Sequence, residues 1–224
     1  MPEQFDQIRI LRVEIEGEWT ADDFSTSFRS LNQLYSLRTL IKVERESLNE
    51  LEIHARELFD SPPFVRRLPG RLRALYLSRG GPFPALAPPF IDPGAPETAF
   101  GLLEPQERLR VTRVQFSSPG FKDFAGLGEV VGHIKDFVLR LIDLYVGRRK
   151  RQIENEIRET GLVSDRLDNA RKFIDLARDC GYTKAEIRKL VRWTDARQGD
   201  LIPLIMAGKI RDTKLLDEPT SEEA

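Results

Sequence analysis

The run from Leu127 to Tyr145 narrows the choice of fold more than any other stretch of this chain. Leu127, Val130, Ile134, Phe137, Leu141 and Leu144 recur at alternating spacings of three and four, and Val131, Val138, Ile142 and Tyr145 widen the stripe. That period is the mark of an amphipathic helix, and a long one is predicted over residues 121–160, with Gly161 as its stop. The stripe is too wide for a narrow two-stranded coiled-coil seam and suits a core-facing or bundle helix. Forty residues at 1.5 Å each would span about 60 Å, more than the width of a small domain. Half of such a helix must project, bridge to a second module or pair with another chain. Leu127, Ile134, Phe137, Leu141 and Leu144 are therefore the expected self-association face. Glu129, Lys135, Asp136, Arg140 and Asp143 interrupt the run. At about 2.5–3.5 kcal/mol for each mid-membrane Lys, Arg or Asp, it would not insert as a membrane span.

Upstream, residues 8–16 (IRILRVEIE) alternate, with Leu11, Val13 and Ile15 on one side and Arg12, Glu14 and Glu16 on the other. A half-buried strand is predicted there, ended by Gly17. Thr20 followed three residues later by Asp23 is a helix-start pattern. Phe24, Phe28, Leu31 and Leu34 continue it at helical spacing, and a second helix is expected from Leu37 to Phe59. Residues 61–105 hold ten of the fourteen prolines and five glycines, which excludes long helix. RLRALYLS (71–78) is a candidate short strand within that loop. Residues 109–116, LRVTRVQF, read as another strand closed by SSPG, with the long helix expected to begin near Phe121. Short helices are expected at Asp165–Cys180, Lys184–Asp195 and Asp200–Met206.

The resulting expectation is an α+β protein, mostly α-helical. Residues 1–120 form an α+β domain with a small sheet of two or three strands and a Pro-rich loop at 61–105. Residues 121–160 form the long connecting helix, 161–211 a small helical module, and 212–224 an acidic flexible tail. Two strands alone make a marginal sheet, so a third strand or a second chain would have to complete it.

Of 224 residues, 35 are basic and 36 acidic, a net charge of −1. Dedicated nucleic-acid binders are usually basic overall, so this chain could bind DNA only through a local patch. One cysteine, Cys180, excludes an internal disulfide and a Cys-based zinc site, and fits a reducing, cytoplasmic setting. The first ten residues contain no apolar core of a signal peptide.

Residues 176–192, LARDCGYTKAEIRKLVR, resemble a helix-turn-helix. Ala177 stands at the helix crossing, where only a small side chain fits, and Gly181 in the turn, where a left-handed backbone is cheapest. Leu176, Cys180, Ile187 and Leu190 fall on the inward faces. The resemblance implies a second helix exposing Lys184, Arg188, Lys189 and Arg192, residue types that contact phosphates and, for arginine, guanine edges. The Gly–Tyr turn is also similar to that of ubiquitin-associated three-helix modules, which would make the same stretch a helical docking element.

Two further basic clusters stand out: GRRKR at 147–151, and Arg66, Arg67, Arg71, Arg73 and Arg79 near Phe64 and Tyr76. Phosphate-binding loops, dinucleotide fingerprints, zinc-protease HExxH and the nucleophile-elbow motif GxSxG are all absent. The two histidines, His54 and His133, lack partners at metal-ligand spacing. No cofactor or metal is expected, and the pattern points away from an enzyme. The expected function is a non-enzymatic interaction or assembly protein, partnered with itself or another protein and not with a membrane. The alternative is a DNA-binding protein reading through Lys184, Arg188, Lys189 and Arg192.

Overall fold

The structure, a computed structural model, describes residues 7–58, 91–151 and 173–217, with side chains for 7–47, 91–146 and 173–216. In chain order its elements are β1 (Ile8–Ile15), α1 (Ala21–Leu58), two 3-10 turns (Pro96–Leu102 and Pro105–Glu107), β2 (Arg110–Gln115), β3 (Gly120–Leu127) and α2 (Gly128–Arg151). They are followed by α3 (173–179), α4 (Lys184–Met206) and β4 (Ile210–Asp217).

β1 forms where alternation predicts it, with Leu11, Val13 and Ile15 buried on the helix-facing side. Gly17, at φ +77°, turns the chain out of the strand. α1 then starts on a reciprocal cap: the Thr20 N–H donates to Asp23 Oδ2 at 2.7 Å and the Asp23 N–H to Thr20 Oγ1 at 3.2 Å. It continues unbroken to Leu58 rather than as two helices. No glycine or proline lies between Ala21 and Leu58, so nothing in the chain stops propagation there.

Among the described residues the sheet has four strands rather than two or three, all antiparallel, in the order β2-β3-β1-β4. Two of its members differ from expectation. Residues 120–127 are a strand, not the first turns of the long helix, so Leu127 lies on β3 and the helix begins at Gly128. Pairing on both sides decides this: Phe124 faces Leu11 of β1 and Val111 of β2. Gly126 fits because a Cβ there would stand 2.7–2.8 Å from the Tyr35 ring and hydroxyl, which bonds the Leu127 N–H at 2.8 Å. Residues 210–217, expected in part to be a loose acidic tail, form β4 against β1. Thr213 and Ile210 are buried there, and Lys214 reaches Glu14 at 2.6 Å.

The turn at SSPG, with a cis Ser118–Pro119 peptide, joins β2 to β3. β2 lies at one edge of the sheet, opposite β4, and leaves Val111 (52%) and Phe116 (73%, just beyond it) exposed. On the face away from the helices, Arg12 grips Asp123 with two bonds of 2.8 Å and lies over Phe121.

Two apolar cores follow. The first lies between the sheet and α1, α2 and the end of α4, through residues such as Leu11, Val13, Tyr35, Val131, Val138 and Leu201. The second joins the middle of α1 to the 3-10 segment and to α3–α4. The C-terminal helices therefore pack on the same elements as the N-terminal strand, and β4 completes its sheet. Among the described residues no helix is long and apolar enough to cross a membrane. The proposed strand at 71–78, the arginines at 66–79, and residues 152–172 lie outside the described residues. So do the side chains of His54 and GRRKR.

Candidate functional site: the α3–α4 hairpin

The stretch that resembles a helix-turn-helix is a helical hairpin. α3 ends in a left-handed cap, with Gly181 at φ +85°. The Gly181 N–H donates to the Arg178 carbonyl at 2.9 Å and the Tyr182 N–H to the Ala177 carbonyl at 3.1 Å, the two bonds of a Schellman turn. Thr183 then caps α4: its N–H donates to Glu186 Oε2 at 2.8 Å, and its hydroxyl accepts the Glu186 N–H at 3.3 Å. The Thr183 hydroxyl, which also donates to Glu186 Oε2 at 2.7 Å, and then the Thr183 N–H hold the Glu186 carboxyl below its ordinary value. α4 then runs without a break to Met206, through the Asp195–Asp200 gap where two helices were expected.

The inner face is fully used. Ala177, Cys180, Ile187 and Leu190 are buried against Leu37, Leu40 and Ile41 of α1. The Cys180 thiol points at the Ile41 carbonyl at 3.6 Å, and burial pushes its pKa up to about 12, so no thiolate forms near neutral pH. The Tyr182 hydroxyl donates to the buried Glu44 carboxylate at 2.7 Å. Burial, with Glu44 beside it, raises the Tyr182 pKa. The 3-10 segment straps the far end: Trp193 Nε1 donates to Glu97 at 3.0 Å and meets Phe100 edge-on at 6.0 Å.

The outer face is different. Lys184, Arg188, Lys189 and Arg192 are all exposed, as the pattern predicts, and none makes an ion pair or hydrogen bond among the described residues. Lys184, Arg188 and Arg192 follow one line down the helix, about 12 Å long at 1.5 Å per residue, with Lys189 beside it. Neighbouring cations are matched: Arg178 pairs with Asp175 at 3.0 Å and Arg45 with Asp179 at 3.5 Å.

The predicted self-association face is not brought together as a free surface. Ile134 (5%) and Leu141 (2%) are inside the first core, Phe137 packs against it, Leu144 is half-buried and Leu127 belongs to β3. The stripe on α2 is wide because it faces a four-stranded sheet of the same chain.

Sequence reasoning missed Lys122. Its side chain is fully buried, with Nζ 3.9 Å from the Trp19 ring centre, 5.2 and 5.1 Å from those of Phe24 and Phe28, and donating to Ser27 Oγ at 2.8 Å. Burial lowers its pKa to about 7, against the opposing pull of the Asp23 charge. The aromatic spacing of α1 was the one available signal, and nothing in it named the lysine.

His133 lies 3.9 Å from the Glu129 carboxylate, and among the described residues no cluster of three or more His, Cys, Asp or Glu could hold a metal ion. No family model, curated protein or solved structure matches this chain.

Proposed function

We propose that this chain is a non-enzymatic interaction protein whose docking element is the α3–α4 hairpin, taking an acidic partner on Lys184, Arg188, Lys189 and Arg192. One observation carries the reading. The hairpin's apolar face is spent inside the chain, while four cations on its outer face stand exposed without an ion pair among the described residues. Exposed charges of this kind steer encounter and set register, and their effect weakens with salt. Self-association through α2 draws no support from its stripe, whose central residues are core.

Duplex DNA is the second reading. It is favoured by the small residue at the helix crossing, the glycine turn and the basic first half of the second helix. Against it stand the net charge of −1 and the acids Asp175, Asp179 and Asp195 around the stripe.

Fluorescence anisotropy at low salt tests both, with labelled polyglutamate and a random-sequence duplex pool as probes. Wild-type protein is expected to bind at least one probe. Replacing the four cations by glutamine should abolish binding and leave thermal unfolding unchanged. Duplex binding selects the second reading, and polyglutamate binding alone selects the first. No binding to either probe, or undiminished binding by the variant, overturns the proposal.

A further inference from the structure

The first core runs off one edge of the sheet. β2 pairs with β3 along one side, and every residue of it except Val114 is exposed. The register breaks between Val111 and Arg113, with Thr112 as the extra residue, its hydroxyl donating to the Asp123 carbonyl at 3.3 Å. That bulge brings Val111, opposite the buried Phe124, and Val114, opposite Lys122, to the same helix-side face. Phe116 follows them and meets Phe24 of α1 edge-on at 5.0 Å. It is the most exposed large apolar side chain among the described residues. Val111, Val114 and Phe116 thus carry the apolar layer of Phe28 and Phe124 outward into solvent.

The opposite face of β2 is cationic. Arg113 lies opposite Asp123, which Arg12 already grips, and Arg110 lies opposite Ala125. Neither makes a hydrogen bond or ion pair among the described residues; Arg113 rests 5.1 Å from the centre of the Phe121 ring. Residues 110–116 contain no acid. β4, at the other edge, is finished differently. Its Ile210 and Thr213 are buried, and its Arg211 and Lys214 pair with Glu16 and Glu14 of the β1 segment. Natural sheets guard their edges with charges and bulges, and β2 has both. Guarding does not call for an exposed phenylalanine, which adds to the risk that the other devices reduce.

We propose that β2 takes an extended segment of a partner protein as a fifth strand, a segment in which apolar residues alternate with acidic ones. Successive side chains of a strand point to opposite faces. One row of the segment would therefore cover Val111, Val114 and Phe116 while the other met Arg110 and Arg113, and the main chains would pair along the open edge. Opposite charges on neighbouring strands stabilise such a pair, and like charges oppose it. A second copy of this chain fits less well, because two β2 strands side by side would gather Arg110 and Arg113 of both copies on one face without an acid. The chain's own candidates do not match either: RLRALYLS (71–78) is basic, and EPTSEEA (218–224) has no apolar row. β2 shares no residue with the stripe on α4. Polyglutamate and duplex DNA carry no apolar row, so neither of those probes is expected at this edge.

The probe is a labelled, end-blocked octapeptide of alternating valine and glutamate, followed by fluorescence anisotropy. Saturable binding is expected below about a millimolar, the range of a weak contact. A peptide of the same composition in the order Val-Val-Glu-Glu, and one with lysine in place of glutamate, should each bind about tenfold more weakly or not at all. Amides of alternate residues point to opposite edges of a strand. N-methylation of one set, the valines or the glutamates, should therefore abolish binding, and N-methylation of the other should spare it. Phe116→Ser should weaken binding by about tenfold or more, with thermal unfolding little changed because the side chain is exposed. Arg110→Gln with Arg113→Gln should weaken it and flatten its salt dependence. The variant lacking the four α4 cations should bind as wild type does. No saturable binding of the alternating peptide, or equal binding of the reordered or the lysine peptide, would overturn the proposal. The same result for both N-methylated sets, binding unchanged in Phe116→Ser, or binding lost with the α4 cations would do so too. A wild-type dimer in light scattering that Phe116→Ser dissolves would give the edge to a second copy and overturn it as well.

Discussion

Lys122 sets two opposing effects against each other. Three aromatic rings favour the ammonium form, each by about 0.5–2 kcal/mol. Burial of a charge costs several kcal/mol, and it wins, so the pKa falls to about 7. The unfolded chain holds this proton up to its ordinary value of 10.5, whereas the folded chain releases it near 7. Between those limits the unfolded state binds more protons, so stability rises with pH, by roughly a few kcal/mol across the window. Below it both states are protonated and the dependence vanishes. Urea midpoints measured from pH 6 to 10 should show the rise in wild type and lose it in Lys122→Met; equal slopes would remove Lys122 as its source. Such a site is invisible in the chain because β3 brings Lys122 to Ser27 across 95 positions. The Thr20–Asp23 cap and the Ala177–Gly181 turn were legible, because each is closed by residues a few positions apart.

At the level of elements, periodicity revealed what faces inward and misjudged what it faces. α2 carries its stripe as predicted, so Leu141→Ala should cost about 2–5 kcal/mol in a denaturant titration. A midpoint equal to wild type would mean that the site is not core. The periodicity extends the same stripe back to Leu127 because β3 runs directly into α2. Residues 121–126 (FKDFAG) contain no β-branched side chain, and only pairing with both neighbours makes them a strand. β4 hid behind the acidic composition of the chain's end. The hairpin turn is constrained more tightly: Gly181→Ala forces a Cβ into a left-handed backbone and should cost about 1–2 kcal/mol. Ala177→Leu, at a fully buried crossing, should cost about 1–3 kcal/mol by overpacking. Thermal melts of both variants check these values.

Across the whole molecule, β4 pairs with the first strand, and α4 reaches from the second core into the first. A separate C-terminal module would unfold on its own; this arrangement predicts that it does not. The two tryptophans report on different places, Trp19 beside the first core and Trp193 beside the second. Trp19→Phe and Trp193→Phe each leave one reporter. Each reporter should give the same urea midpoint as circular dichroism recorded on its own variant. Two separated transitions in either variant would show independent units.

Coupling of this kind holds the inner face of the hairpin against its own chain, and the outer stripe is the face proposed for a partner. The most direct test is the salt dependence of binding to the acidic probe that the wild type takes, labelled polyglutamate or duplex DNA. Three proteins are compared: wild type, the variant with Lys184, Arg188, Lys189 and Arg192 replaced by glutamine, and a control losing the exposed Arg29, Arg110, Arg113 and Arg211. Each phosphate contact contributes about 0.9 to the slope of log affinity against log salt. If all four residues contact phosphates, the stripe variant loses about 3.6 of that slope, four times 0.9, while the control keeps it. A slope shared by wild type and the stripe variant, or lost equally by the control, would contradict the assignment of the partner-binding surface to α4.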